Sequence, residues 1–262
     1  PRIFGKKVII NVDGLEWQRK KWNRLAKFIY KISEYLAVVL SNKIVTDSTI
    51  IRDYYKSKFK KNTEYISYGA DINRSMPPGD TLGKIGIRPR EYILYVSRLE
   101  PENNAHILIK AYEQVKTDMP LVIVGSAPYN TVYIKKIKST KDKRIKFVGG
   151  IYGDGYFELL SNAFIYIHGN EVGGTNPALL QAMASGNCVI ANGVNFNKEV
   201  IKDCGLCYEP GNTEDLKNKI EYLLGHPSEV RNYRNMAINR IKNNYNWDNV
   251  VNRTERLMES LL

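Results

Sequence analysis

Cysteine and histidine are scarce in this 262-residue chain. Cysteine occurs three times, at Cys188, Cys204 and Cys207, and histidine also occurs three times. Three thiols do not make a disulfide framework, and with so few His they offer no zinc set. No metal is expected, and a reducing cytoplasm is the default compartment. Cys204 and Cys207 have CxxC spacing but lie in a loop between a helix and a turn, where structural thiols are the plainer reading. No apolar run is long enough to span a bilayer, and no signal-peptide pattern is visible. Internal repeats and low-complexity segments are absent. The chain begins at Pro1 in mid-pattern rather than at Met, which suits a fragment or a processed product.

Acidic residues are also short, 27 against 39 Lys and Arg, for a formal net charge of +12. The excess is uneven. Residues 1–74 carry 16 basic and 7 acidic side chains, and residues 75–262 carry 23 and 20, so +9 of the +12 lies in the first 74 residues. A basic segment calls for an acidic partner: nucleic acid, anionic lipid or a phosphorylated substrate.

The stretch Phe164–Asn192 (FIYIHGNEVGGTNPALLQAMASGNCVIAN) organises what is present. It predicts a strand, a glycine-rich loop, a buried helix from Pro177, a turn at Gly186 and a second strand. Asn176 or Thr175 can cap the helix ahead of Pro177. A glycine loop feeding a helix N-terminus offers free N–H groups and a partial positive charge, which suits a phosphate. The same pattern also fits an ordinary strand–loop–helix of an α/β domain.

Taken in order, Lys7–Val12 predicts a buried strand that ends at Asp13-Gly14. A carboxylate at a strand's carboxyl end sits where α/β proteins place ligands, although Asp13 also reads as a turn former. A helix is predicted from Glu16 to Leu40, with Trp17, Leu25, Phe28, Ile29, Ile32, Leu36 and Val39 at helical spacing. Its basic Trp17–Lys31 part reads either as a helix on an anionic membrane surface or as a helix packed on the sheet with solvated lysines. Lys43–Thr46 is a strand, with Asp47-Ser48 capping a helix Thr49–Phe59, and Tyr65–Tyr68 is another strand. Ile72–Arg90, with Pro77-Pro78-Gly79 and little periodicity, reads as a linker. Strands are predicted at Tyr92–Val96, Leu121–Val124, Ile145–Val148, Val189–Ala191 and Gly205–Tyr208. Helices alternate with them at Ala105–Val115, Tyr129–Thr140 and Tyr156–Ala163, with a short helix or turn at Asn197–Ile201. Thr213-Glu214-Asp215 should cap the next helix. Helices near Ser228–Asn243 and Asp248–Leu262 finish the chain. Such alternation implies a doubly wound parallel sheet.

Three segments carry a resemblance, Val12–Trp22 (VDGLEWQRKKW), Ser97–Asn104 (SRLEPENN) and Gly173–Gly186 (GGTNPALLQAMASG), and Ile66–Asp71 (ISYGAD) fits the end of a first domain. Together they resemble retaining glycosyltransferases of the GT-B architecture, in family 4 (glycosyl transferases group 1), and within it the bacterial rhamnosyltransferase-like branch. The resemblance implies an α/β fold of GT-B type. Residues 1–73 would be the remnant of an N-terminal acceptor-side Rossmann-like domain, with most of that domain missing. A linker at 74–90, a complete C-terminal nucleotide-sugar-binding domain at 91–244 and a helix at 245–262 packing back on the first domain would follow. It further implies transfer of rhamnose or a related hexose from a dTDP-, UDP- or GDP-linked donor. The acceptor would be a polysaccharide or an undecaprenyl-pyrophosphate-linked glycan of capsule or O-antigen synthesis. No cofactor is required on that reading. The setting would be the cytoplasm, with peripheral attachment to the inner face of the membrane through Trp17–Lys31.

The resemblance also assigns roles. Arg98 matches the diphosphate-binding Arg, where a guanidinium makes bidentate contacts that Lys cannot. Asn103 stands where the wider family has Lys and brings a donor without charge. Gly173, Gly174, Thr175 and Asn176 would cradle the phosphates. Gln181 aligns with a ribose-holding Glu, and Gly173 with the other glutamate of that pair. Glu171 reads as a catalytic carboxylate reaching the donor sugar or as a solvated loop residue. His168 lines the sugar pocket or merely ends a strand. Gly150 and Tyr152 lie where the nucleotide base packs. Asp13 would take the acceptor hydroxyl proton, with Glu16 and Arg19 beside it on the acceptor side. A non-catalytic nucleotide-sugar-binding fragment is the alternative, and a sugar-nucleotide epimerase fits the motifs less well. No nucleic-acid partner is expected, because no RNA- or DNA-binding motif accompanies the basic excess.

Overall fold

The computed structural model describes residues 2–19, 21–72, 74–127 and 131–262. Two parallel sheets organise them. The first has the order β1 (Ile9–Val12), β2 (Lys43–Thr46) and β3 (Glu64–Tyr65), linked by α1 (Arg24–Leu40) and α2 (Thr49–Phe59). After α3 (Asp80–Ile85) comes a six-stranded sheet. Its strands are β4 (Ile93–Val96), β5 (Leu121–Val124), β6 (Ile145–Gly149), β7 (Ile165–His168), β8 (Cys188–Asn192) and β9 (Leu206–Tyr208). Their spatial order is β6-β5-β4-β7-β8-β9, all parallel. The order reverses between β4 and β7, and the crevice outside the carboxyl ends at such a point is where ligands bind in doubly wound sheets.

Strand side chains alternate between two cores because Cβ direction alternates along a strand. Leu94, Tyr166 and Val189 join one core with α7 (Pro177–Ala184) and α10 (Pro227–Asn244). Ile93, Tyr95, Ile123, Ile167 and Ile190 join the other with α4 (Ala105–Tyr112) and α9 (Thr213–Gly225). Four further helices complete the chain: α5 (Thr131–Lys138), α6 (Gly153–Asn162), α8 (Asn195–Ile201) and α11 (Trp247–Glu259).

The two sheets are tied where the chain crosses twice. The Ala70 N–H donates to the Tyr245 carbonyl at 2.9 Å, and Ala70 bridges Asn246. The Trp247 ring lies so close to Gly69 that an added Cβ would stand 2.8 Å from it. Leu257 of α11 packs with Val45 and Ile66 of the first unit. The Glu199 carboxylate of α8 accepts from the Thr49 N–H at the start of α2, at 3.0 Å.

Several expectations are corrected. The helix from Glu16 to Leu40 is broken: a 3-10 turn covers Glu16–Gln18, and Asn23 opens α1 by accepting from the Ala26 N–H at 2.9 Å. The basic Trp17–Lys31 segment is therefore not one helix, and Lys20 lies outside the described residues. Trp17 and Trp22 are half-buried, the latter against Tyr30. The apolar stripe of α1 also faces outward: Leu25, Phe28, Ile29, Ile32, Leu36 and Val39 are exposed. The sheet-facing side carries Val38 and, unexpectedly, Glu34, which accepts from Tyr54 Oη and Lys58 Nζ.

The stretch read as linker holds α3. The buried Glu158 carboxylate caps it, accepting from the N–H groups of Gly79 and Leu82. A cap supplied from 76 residues away leaves no local signal. Boundaries move elsewhere. The third strand is Glu64–Tyr65, the fourth helix ends at Tyr112, and α8 begins at Asn195. The expected start of the next helix at Tyr129 lies outside the described residues. Ser48 alone, not Asp47, caps α2, and Asn212 caps α9. Cys188, Cys204 and Cys207 are free thiols.

Candidate functional site

The crevice at the β4–β7 reversal is built from strand ends. Ser97-Arg98 leaves β4, Gly125 leaves β5, Gly149-Gly150 leaves β6 and Gly169–Asn176 leaves β7. Close backbone approach needs glycine here. A Cβ on Gly125 (φ +147°) would lie 1.8 Å from the Ser97 carbonyl oxygen. Arg98 is exposed, and among the described residues no carboxylate pairs with it. Its neighbours are otherwise engaged: Glu100 with Lys21 at 3.6 Å, and Glu102 with Arg19 at 3.8 Å. A solvated guanidinium at the mouth of the crevice is available to an anion.

Asn103 does not face the crevice as a donor. It is buried, its amide donates to the Arg98 carbonyl at 2.7 Å, and its own carbonyl accepts from Tyr95 Oη. It therefore shapes the loop that presents Arg98. Arg19 is likewise held, with Nε on Glu16 at 2.7 Å and Nη1 toward Glu102, so Glu16 and Arg19 join the two units rather than stand free for an acceptor.

The glycine loop sits against the first unit. Asn176 caps α7, accepting from the Ala178 N–H at 2.9 Å. Thr175 is buried and donates its hydroxyl to the Asp47 carbonyl at 2.5 Å. Gly173 takes φ +143°, and a Cβ on Gly14 would stand 3.3 Å from its Cα. Gln181 is turned toward the interdomain segment, not toward open crevice. Its Nε2 donates to the Asp71 carbonyl at 3.0 Å and its Oε1 accepts from the Asp71 N–H at 3.3 Å. A glutamate could not supply the first of these bonds.

Glu171 accepts from Asn104 Nδ2 at 3.2 Å, and its N–H donates to the Glu102 carbonyl, so it is anchored beside β7. His168 is buried at the end of β7, stacked on Tyr166, with neither ring nitrogen hydrogen-bonded among the described residues. Burial pushes its pKa down to about 3, so the ring is neutral at physiological pH. Tyr152 is exposed and lies against Gly150 at the rim.

Across the crevice, Asp13 is exposed and accepts from Tyr68 Oη at 3.2 Å. A pocket of about 160 Å³ opens beside it, lined by Gly14, Glu16, Trp17, Tyr30 and Glu34 among others. Val12 pairs with Thr46 in register, which puts Asp47 alongside Asp13 at the adjacent strand end. Asp47 is 1% exposed and neither carboxylate oxygen is hydrogen-bonded among the described residues. Burial, then the negative charge of Asp13, raises its pKa to about 7, while the nearby backbone N–H groups of Thr175 and Asp47 itself act in the opposite sense. Sequence reasoning missed this residue because Asp-Ser-Thr before a helix reads as a cap. Only the strand register brings it to the crevice. Among the described residues, no group of three or more His, Cys, Asp or Glu could hold a metal ion.

Residues 83–247 match the family Glycosyl transferases group 1. The chain belongs to that family. Residues 2–71 match Domain of unknown function (DUF1972). An uncharacterised glycosyltransferase of Methanocaldococcus jannaschii is 25% identical over 274 residues, covering 99% of this chain and 70% of the relative. O-antigen chain mannosyltransferase B of Escherichia coli is 23% identical over 171 residues, covering 62% of this chain and 44% of that enzyme. Among solved structures, HepE of Anabaena in complex with UDP superposes with a TM-score of 0.84 at 18% identity, covering 99% of this chain and 73% of that one. The fold is thus the α/β GT-B architecture of glycosyltransferases. In this glycosyltransferase chain, Arg98, the glycine loop and the Asp13–Asp47 strand ends converge on the crevice. Asn103, Gln181 and Arg19 serve the frame around it.

Proposed function

We propose that the chain forms the donor-binding cleft of an enzyme that transfers a hexose, rhamnose or a relative of it, from a nucleoside diphosphate. The acceptor is a lipid-linked or polysaccharide glycan of the cell surface, and the configuration is retained. The observation that carries this reading is Arg98, exposed and without a carboxylate partner among the described residues, leaving β4 next to the glycine loop of β7 at the strand-order reversal. Breaking the bond from sugar C1 to the diphosphate builds negative charge on the leaving group. A guanidinium, loop N–H groups and the N-terminus of α7 meet that charge without a metal. UDP in HepE and O-antigen synthesis in the Escherichia coli relative support the donor class and the pathway class.

On this reading Asp13, steadied by Tyr68, accepts the acceptor's hydroxyl proton. Glu171, held by Asn104, and His168 line the donor-sugar side, and Tyr152 with Gly150 bounds the base. Purified chain is incubated with UDP, dTDP and GDP sugars and a lipid-pyrophosphate acceptor. Transfer from one donor supports the reading. Absence of both transfer and donor hydrolysis with all of them refutes it. Nucleotide binding without turnover would instead mark a non-catalytic binding module.

Membrane attachment is proposed through the outward face of α1, which overlaps the Trp17–Lys31 segment. The outward face of α1, with Leu25, Phe28, Ile29, Ile32 and Leu36, carries Arg24, Lys27 and Lys31 on the same helix. Apolar side chains bordered by cations suit an anionic membrane surface. Cosedimentation with anionic but not zwitterionic vesicles is the expected result, lost in Phe28→Ser/Ile32→Ser; equal binding to both vesicle types, or none, counts against it. Among the described residues no helix is long and apolar enough to cross a membrane.

A further inference from the structure

The glycine loop has little acid of its own. From Val172 to Gln181 no side chain is acidic, and the Glu171 carboxylate just before it is held by Asn104. The acid that touches the loop comes from the other unit. A Cβ on Gly174 would stand 2.1 Å from Asp47 Oδ1 and 2.5 Å from Oδ2, so the carboxylate rests directly on the Gly174 backbone. Both oxygens are buried and without hydrogen-bond partners among the described residues. Buried polar groups in native proteins nearly always have partners, and a buried carboxylate left bare is costly.

Resting on the donor-site reading above, we infer that Asp47 is the carboxylate that receives hydroxyl groups of the transferred sugar, lent across the cleft by the first unit. An ionised carboxylate only accepts hydrogen bonds, so its complement is a pair of O–H donors rather than a phosphate. Neighbouring hydroxyls on a hexose provide such a pair. Gly173 and Gly174 have no side chains to obstruct the loop as it lifts from the strand end. The hydrogen bond from the Thr175 hydroxyl to the Asp47 carbonyl fixes the strand end at the level of the loop.

The groups facing Asp47 are Asp13 from the end of β1, Tyr68 past β3 and Glu199 from α8; Gly174 and Thr175 of the loop are uncharged. Among the described residues no cation acts on Asp47; only the nearby backbone N–H groups of Thr175 and Asp47 itself favour its charged form, and sugar hydroxyls would add to them. Hydroxyl donors favour the charged form of a carboxyl group, so sugar binding should release a proton near neutral pH.

The test is calorimetry on the whole chain with paired probes: UDP and UDP-glucose, dTDP and dTDP-rhamnose, GDP and GDP-mannose. It uses the pair whose diphosphate binds. Asp47→Asn and Asp47→Ala should leave the nucleoside diphosphate affinity within about threefold and weaken the nucleotide sugar by about tenfold or more. Titration in two buffers of different ionisation enthalpy should show proton release for the nucleotide sugar in the wild type and none in Asp47→Asn. Deoxy analogues of the donor sugar probe the same contact without any substitution: one of them should lose about tenfold against wild type and nothing further against Asp47→Asn. Equal losses for diphosphate and nucleotide sugar overturn the inference, as does no loss for either. Tighter diphosphate binding by Asp47→Asn, with proton uptake by the wild type, would put the carboxyl against phosphate and also overturn it. Failure of the wild type to bind any of the three diphosphates would refute the donor site itself, and this inference with it.

Discussion

The two units are made from the same parts and finished differently. In the second, six parallel strands are covered on both faces, and the strand side chains of β4, β5, β7 and β8 are almost wholly buried. In the first, the three described strands carry only small apolar clusters. The outer side of α1 leaves Leu25, Phe28 and Ile29 more than half exposed. The difference separates scaffold from surface. The second unit has a core on each face of its sheet. The first is held to it by Ala70, Trp247, Leu257 and the Glu199–Thr49 bond. Asp13 and Asp47 belong to the less covered unit, so the proposed chemistry would sit at the boundary between the two.

That contrast can be broken or sharpened by substitution. The largest effect is expected in the second core. Met183→Ala, on buried α7 beneath the glycine loop, should cost about 2–5 kcal/mol in chemical denaturation. A loss no larger than that from an exposed site would contradict the closed-core description.

Asp47 should produce the next effect, and it has a pH signature. Its pKa in the folded chain, about 7, lies above the ordinary aspartate value of 3.8. The folded state therefore holds a proton that the unfolded state has given up between those values. Stability from this group is full below about pH 4, falls as pH rises toward 7 and is then flat. At about 1.4 kcal/mol per unit, the burden above pH 7 is at most about 4 kcal/mol. Asp47→Asn should thus melt higher than wild type at pH 8 and converge with it near pH 4. The buried His168 works in the opposite direction: its pKa is lowered to about 3, so its contribution is lost as pH falls below about 6.5. Subtracting the Asp47→Asn curve from the wild-type curve cancels that second effect. A difference that does not change with pH would refute the buried-acid account.

Gln181→Glu should cost about 0.5–1.5 kcal/mol, because the bond to the Asp71 carbonyl loses its donor. Proteolysis at the 71–76 segment should quicken in step; an unchanged rate would remove Gln181 from the interdomain frame. The smallest stability effect belongs to the outward face of α1. Phe28→Ser should shift unfolding by no more than about 0.5 kcal/mol. A loss of several kcal/mol would show that this face is covered in the intact chain.

Much of the fold was legible from sequence. Near-continuous apolar runs such as Tyr92–Val96 and Leu121–Val124 mark strands buried on both faces, and Gly125 marks the carboxyl end of the second. The segments that leave β4 and β7 at the strand-order reversal were legible as Ser97-Arg98 and the Gly173–Asn176 loop. What was hidden depends on distant partners. Glu158 caps α3, Glu34 accepts from Tyr54 and Lys58 of α2, and Gln181 grips Asp71, each through contacts that no local window contains. Asp47 was hidden for a different reason: its local context offers a complete alternative as a helix cap. Strand register decides the matter, and register is not written in a single strand.

The central claim is that the β4–β7 crevice binds a nucleoside diphosphate chiefly through Arg98 and the glycine loop. Calorimetric titration of UDP, dTDP and GDP into wild type, Arg98→Ala and Gln181→Ala tests it most directly. The account predicts binding of at least one diphosphate, a loss of about 1.5–3 kcal/mol in Arg98→Ala and a much smaller loss in Gln181→Ala. Equal losses in the two variants, or no binding to the wild type, would contradict it.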